Sequence, residues 1–230
     1  MFEFLFIDLD DTIFDFQKAE RIAITRTIRD FGLEPTEAVL QRYHVINKWH
    51  WEQLELGKLS RQEVLENRFG VLFAELGREV DKAACAKAYG ANLAIGHYYL
   101  PGAEEALEVL RKKYRLFLVS NGTASVQRGR MDSANLYRFF EKIFISQEIG
   151  HNKPSKAYFD ACFAEIPGFD PARAIIVGDS LSSDMLGGKN AGIATCWVNP
   201  THAPARADVQ PDYTIESIAQ LDELLESLKK

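Results

Sequence analysis

Phe4-Leu5-Phe6-Ile7-Asp8-Leu9-Asp10-Asp11-Thr12 sets an unbroken apolar run against a cluster of acids. A short continuous run bounded by turn residues predicts a strand buried on both faces, the kind found in parallel sheets. Four further runs have the same character: Leu116–Val119, Ile143–Ile145, Ala174–Val177 and Ala194–Val198. Helical patterns accompany these four over 102–113, 124–137, 155–166 and 183–191. Tyr213-Thr214-Ile215 adds a short edge strand. Ile218–Leu228 closes the chain as a helix with Leu221, Leu224, Leu225 and Leu228 on one stripe. The fold expected is α/β, a doubly wound parallel sheet of Rossmann type.

An ordinary crossover does not join the first strand to the second. Residues 15–100 lie between them and read as helix throughout, with breaks at Gly32–Pro35, Gly57–Ser60 and Gly77–Asp81. Ser60-Arg61-Gln62-Glu63 has the form of a capping box. The expected organisation is therefore an α/β core of residues 1–14 and 101–230 with a helical cap inserted at 15–100.

Composition narrows the class. The chain has 230 residues, 47% of them hydrophobic, and a net charge of −6. It has no basic cluster, which argues against a nucleic-acid polymer as partner. A small anion remains possible, because a few cations and backbone amides can hold one phosphate. Cys85, Cys162 and Cys196 are odd in number and widely spaced, so they read as buried free thiols in a reducing cytoplasm. The N-terminal run lacks the basic start of a signal peptide, and no segment reaches the roughly 18 apolar residues of a membrane span.

Four clusters follow strand ends, the edge at which open parallel sheets bind ligands. In extended chain Asp8 and Asp10 share a face and Asp11 points away. Two carboxylates on one face repel unless a cation or a shared proton relieves them. Ser120-Asn121-Gly122-Thr123 offers a hydroxyl and a tight turn that can aim backbone N–H groups outward. Lys153 precedes Pro154 in an extended loop and can carry a point charge to a phosphate. In Gly178-Asp179-Ser180-Leu181-Ser182-Ser183-Asp184, Asp179 ends a strand, Ser182 or Ser183 caps the next helix, and Asp184 falls near its first turn. Acids of the first and fourth clusters suit Mg²⁺; Ser120, the amides and Lys153 suit a phosphate. Together they describe phosphoryl transfer.

In order and spacing, Asp8-x-Asp10-x-Thr12, Ser120-Asn121-Gly122, Lys153-Pro154 and Gly178-Asp179-x-x-x-x-Asp184 resemble the haloacid dehalogenase superfamily, with its helical cap after the first motif. The resemblance implies that Asp8 is the nucleophile. It implies Mg²⁺ on the Asp8 carboxylate, the Asp10 backbone carbonyl and Asp179, with Asp184 in support. Asp10 would act as general acid and then base. Thr12, Ser120, Asn121 and Lys153 would hold substrate.

Val45-Ile46-Asn47-Lys48-Trp49, Ser146–Gly150 and Gly187–Trp197 look like the bacterial pyrimidine 5′-nucleotidases of that superfamily, including those acting on noncanonical nucleotides. That closer resemblance implies a pyrimidine nucleoside monophosphate as substrate and makes Asn47 and Lys48 the candidate substrate-facing residues of the cap. The competing expectations are a phosphatase for phosphoglycolate or a sugar phosphate, a phosphomutase, and a non-catalytic binding protein on the same scaffold. A dehalogenase has no leaving alkoxide to protonate and would leave Asp10 idle.

Overall fold

The structure, a computed structural model, describes residues 1–229. Six strands form one sheet: β1 (Phe4–Asp8), β2 (Arg115–Ser120), β3 (Lys142–Ile145), β4 (Ala174–Gly178), β5 (Ala194–Val198) and β6 (Tyr213–Ile215). Their order is β3-β2-β1-β4-β5-β6 and every pairing is parallel. β1 is buried at all five positions, as a continuous apolar run requires. Alternate residues feed opposite faces. Leu5 and Ile7 pack with Leu116, Leu118, Ile175 and Val177 on one face; Phe4 and Phe6 pack with Phe117, Val119 and Ile176 on the other.

From β1 the order runs outward to β2 and β3 on one side, and to β4, β5 and β6 on the other. The reversal lies between β1 and β4, where a crevice opens at the strands' carboxyl ends. Asp8 stands level with Val119 of β2, Ile7 with Val177 of β4, and Ser120 with Ile145 of β3. The strand ends therefore form one rim.

Several helices are shorter than their sequence patterns. α5 (Ala103–Leu110) and α8 (Lys156–Ala164) stop early. α6 (Ala124–Ser133) ends before Asn135, whose φ of 48° breaks the helix ahead of a 3₁₀ turn at Leu136–Phe139. α7 (Ser146–Ile149) is one turn. α9 (Leu186–Ala191) follows a π-helical turn at Leu181–Met185. α10 (Leu221–Ser227) buries Leu221 and Leu225, but Leu228 is 41% exposed, so the expected stripe fades at its end.

The chain divides into two compact units: Met1–Phe16 together with the segment from His97 onward, and Gln17–Gly96. The two connecting segments pair within the first unit: Leu100 N–H donates to Ile13 O (2.9 Å), and Asp15 N–H to Tyr98 O (2.7 Å). The second unit contains α1 (Phe16–Asp30) from its second residue, α2 (Glu37–Glu55), α3 (Arg61–Glu75) and α4 (Lys82–Ala94). Thr36 and Asp81 cap α2 and α4, and the Ser60–Glu63 capping box opens α3. Tyr43, Phe69 and Tyr89 form its aromatic centre, with ring centroids 5.5–5.6 Å apart. Among the described residues no helix is long and apolar enough to cross a membrane. All three cysteines are free and buried.

Candidate active site

Asp8 ends β1 with its side chain almost wholly buried. Its neighbour is Lys153, which is also buried and reaches back from the loop before α8. Lys153 Nζ donates to Asp8 Oδ1 (2.6 Å), Asp184 Oδ1 (2.6 Å) and Val119 O (3.2 Å). A lysine before proline is ordinarily solvated; here two carboxylates and a carbonyl replace its water.

Asp184 is buried beside Asp8, and Asp179 joins them from the end of β4. One carboxylate oxygen from each lies within 4.8 Å of the others. Three carboxylates against one ammonium leave two negative charges uncompensated in a crevice. Burial, then the nearby Asp184 and Asp10, push Asp8 up to about 8 even with Lys153 opposing. Burial, then Asp8, Asp184 and Asp11, push Asp179 well above the carboxylate range. Burial alone would lower Lys153, but Asp184 and Asp8 overcome it and the net shift is upward. An excess of two negative charges on hard oxygen donors fits one divalent cation such as Mg²⁺.

The turn after β4 differs from its sequence reading. Neither Ser182 nor Ser183 is the cap: Ser180 accepts from Ser183 N–H at 3.1 Å, because the π-helical turn begins one residue later at Leu181. Asp184 lies in that turn and also accepts from Ser180 N–H (3.2 Å). Gly178 is what admits it: a Cβ there would stand 2.2 Å from Asp184 Oδ2. Gly178→Ala should therefore cost about 1–3 kcal/mol through overpacking. Chemical denaturation measures this, and unchanged stability would mean that Asp184 is not packed against β4. Trp197 steadies the same loop by donating its indole N–H to Asp179 O at 2.7 Å.

Ser120 is buried at the end of β2. Its hydroxyl accepts from Gly122 N–H (3.0 Å) and from Gln127 Nε2 (2.9 Å). With both lone pairs used, what the hydroxyl can still give is its own O–H. Asn121 reaches across to the lysine loop. Its carboxamide bonds twice to the main chain of Lys153, accepting from its N–H and donating to its C=O, both at 2.9 Å. It ties the lysine loop to β2. Thr12 is fully buried with no hydrogen-bond partner for its hydroxyl among the described residues.

Asp10 shares the loop but not the acid cluster. Arg130 donates to its Oδ1, and Gln127 Nε2 to its Oδ2 at 2.7 Å. Neither partner belongs to a motif in the sequence. The available signal was two polar residues in the buried stripe of α6 that also carries Met131. Asp11 turns away, and its carboxylate caps α1 by accepting from Phe16 N–H (2.9 Å).

In the second unit, Asn47 lies on α2. It is buried, donating to Glu20 Oε1 (2.5 Å) and accepting from Arg68 (2.6 Å), so its amide is spent on the unit's own core. Lys48 is exposed on α2.

A family model for haloacid dehalogenase-like hydrolases matches residues 5–198. The chain is 37% identical to the HAD-hydrolase YfnB of Bacillus subtilis over 96% of its own length and 94% of that protein's. A crystal structure of YfnB bound to magnesium superposes with a TM-score of 0.93, covering 97% of this chain and 98% of the other. The pyrimidine 5′-nucleotidase PynA of Streptococcus pneumoniae is 35% identical over 98% and 95% of the two chains. The pyrimidine 5′-nucleotidase YjjG of Escherichia coli is 30% identical over 97% of each.

Proposed function

The chain belongs to the haloacid dehalogenase-like hydrolases, and on that premise we propose that it is a cytoplasmic phosphomonoesterase acting through an aspartyl-phosphate on Asp8. The observation that carries this reading is the convergence of Asp8, Lys153, Asp179 and Asp184 at the reversal point of the sheet. Asp8 is the nucleophile. Lys153 holds its Oδ1 and leaves Oδ2 to bond phosphorus. The bond from phosphorus to the ester oxygen breaks as the carboxyl proton of Asp10 passes to the leaving alkoxide. Asp10, now a carboxylate, takes a proton from the attacking water. The water oxygen bonds phosphorus, the aspartyl bond breaks, and phosphate leaves. Ser120 O–H and Lys153 hold the transferring oxygens, whose charge the site must balance throughout.

Asp8, Asp179 and Asp184, with the Asp10 main-chain carbonyl, are the residues that would hold Mg²⁺. Bound there, the ion supplies neutralisation of the crevice and of the phosphoryl oxygens. Asp179→Ala should raise the Mg²⁺ concentration for half-maximal turnover at least about 10–100-fold, and further than Asp184→Ala does. A Mg²⁺ titration of each variant measures it, and full turnover in excess chelator would remove the metal from the mechanism.

The substrate class is a pyrimidine nucleoside 5′-monophosphate. The support is likeness over nearly the whole chain to PynA and YjjG. The core motifs see only the phosphate, so base choice must come from elsewhere. The test compares kcat/KM for UMP, dUMP, dTMP, AMP, GMP, phosphoglycolate and glucose 6-phosphate. A pyrimidine nucleotide should lead by at least about tenfold, the scale of one misfit group in a pocket. A purine nucleotide or sugar phosphate at the head of the series would refute the nucleotidase reading and leave the phosphatase reading standing.

A further inference from the structure

Both oxygens of the Asp10 carboxylate are engaged, each by a different residue of α6. Arg130 is fully buried, so its guanidinium must find its hydrogen-bond acceptors within the protein. One of them is Asp10 Oδ1. The guanidinium is also held from other directions. It donates to Gln127 Oε1 at 3.0 Å, and it lies 5.2 Å from the Phe14 ring centroid and 5.8 Å from that of Phe16. Gln127 is buried as well. Its one amide nitrogen donates both to Asp10 Oδ2 (2.7 Å) and to Ser120 Oγ (2.9 Å). Gly122 leaves room for this, since a Cβ at that position would stand 2.3 Å from Gln127 Nε2. A single carboxamide thus joins the carboxylate of the first motif to the hydroxyl of the second.

We propose that Gln127 and Arg130 are positioning residues for the acid–base step, fixing Asp10 relative to the phosphate-holding Ser120. This rests on the role given to Asp10 above. The two attachments differ in strength. The bond from Arg130 is charge-assisted and anchors Oδ1; the bond from neutral Gln127 is the weaker. Oδ2 is therefore the oxygen that can let go of its donor and exchange a proton with the leaving oxygen or the water. Arg130 acts as the pivot and Gln127 as the guide. Neither touches substrate, and neither gains or loses a proton.

A role confined to folding would depress all substrates alike. A role in aiming the acid depends on how much the leaving group needs a proton. The experiment measures kcat/KM for an alkyl phosphate and for p-nitrophenyl phosphate with wild type, Asp10→Asn, Gln127→Leu and Arg130→Lys, with thermal melts of each. Gln127→Leu should lose roughly 10²-fold on the alkyl ester, the scale of a misplacement of about 1 Å, and several-fold less on the aryl ester. Added to Asp10→Asn, it should cost almost nothing more, because the residue it positions is already disabled. Equal loss on both esters, no loss, or full additivity with Asp10→Asn would overturn the proposal. Gln127→Leu carries the test alone if Arg130→Lys does not fold. A wild type that hydrolyses neither ester would refute the phosphatase reading itself. An Asp10→Asn with equal losses on the two esters would refute the acid assignment, so these failures are distinguishable from that of the positioning pair.

Discussion

Asp8→Asn should reduce turnover on the order of 10⁴-fold or more while the protein stays folded. Losing a covalent nucleophile removes the first step of the reaction, and other groups do not substitute for it. The structure separates this from a folding defect. Asp8 is buried and its carboxyl is pushed up to about 8, burial being the first cause and the negative charges of Asp184 and Asp10 adding to it. Asparagine keeps the shape and places a neutral group where burial and the neighbouring acids already disfavour a charge. Lys153 retains Asp184 at 2.6 Å. The metal-free variant should therefore melt at or above the wild-type temperature. Steady-state rates on UMP and a melting curve on the same preparation decide it. Activity within tenfold of wild type would remove Asp8 as nucleophile, and a collapsed melt would show that the charge itself holds the crevice together.

The parts legible in the sequence share a property: each is written in a contiguous stretch. The strands are continuous apolar runs, and Asp8, Ser120 and Asp179 follow directly from strand ends. The helices of the second unit are marked by caps such as Ser60 and Glu63. What stayed hidden depends on residues distant in sequence. Lys153 reads as a phosphate-site cation, but the sequence does not show that Asp8 and Asp184, 145 and 31 positions away, hold its ammonium. Asn47 reads as a candidate substrate-facing residue beside Lys48, and the sequence does not show that Glu20 and Arg68, 27 and 21 positions away, bond its amide. Gln127 and Arg130 look like ordinary helix residues until Asp10 faces α6. The cap at Ser180 was missed for a local reason: a π-helical turn moves the helix start, and no side-chain pattern announces it.

Lys153→Met should be the more damaging substitution for the molecule as a whole, since it strikes both rate and stability. The methionine keeps an unbranched apolar stem of similar reach but brings no charge. Asp8 and Asp184, both buried, would then share a crevice with Asp179 and no ammonium. Breaking a buried ion pair from one side typically costs about 3–5 kcal/mol, because the remaining charge is left unpaired. Turnover should fall on the order of 10³-fold through loss of a fixed cation at the transferring phosphoryl group. The two losses should respond differently to Mg²⁺. A divalent cation held by the three acids offsets their repulsion, so saturating Mg²⁺ should restore much of the lost melting temperature by preferential binding to the folded state. It should restore little of the rate, because the ammonium that holds Asp8 Oδ1 is still missing. Melting curves and steady-state rates across a Mg²⁺ titration would measure both. Full recovery of rate together with stability would reduce Lys153 to a charge-balancing residue.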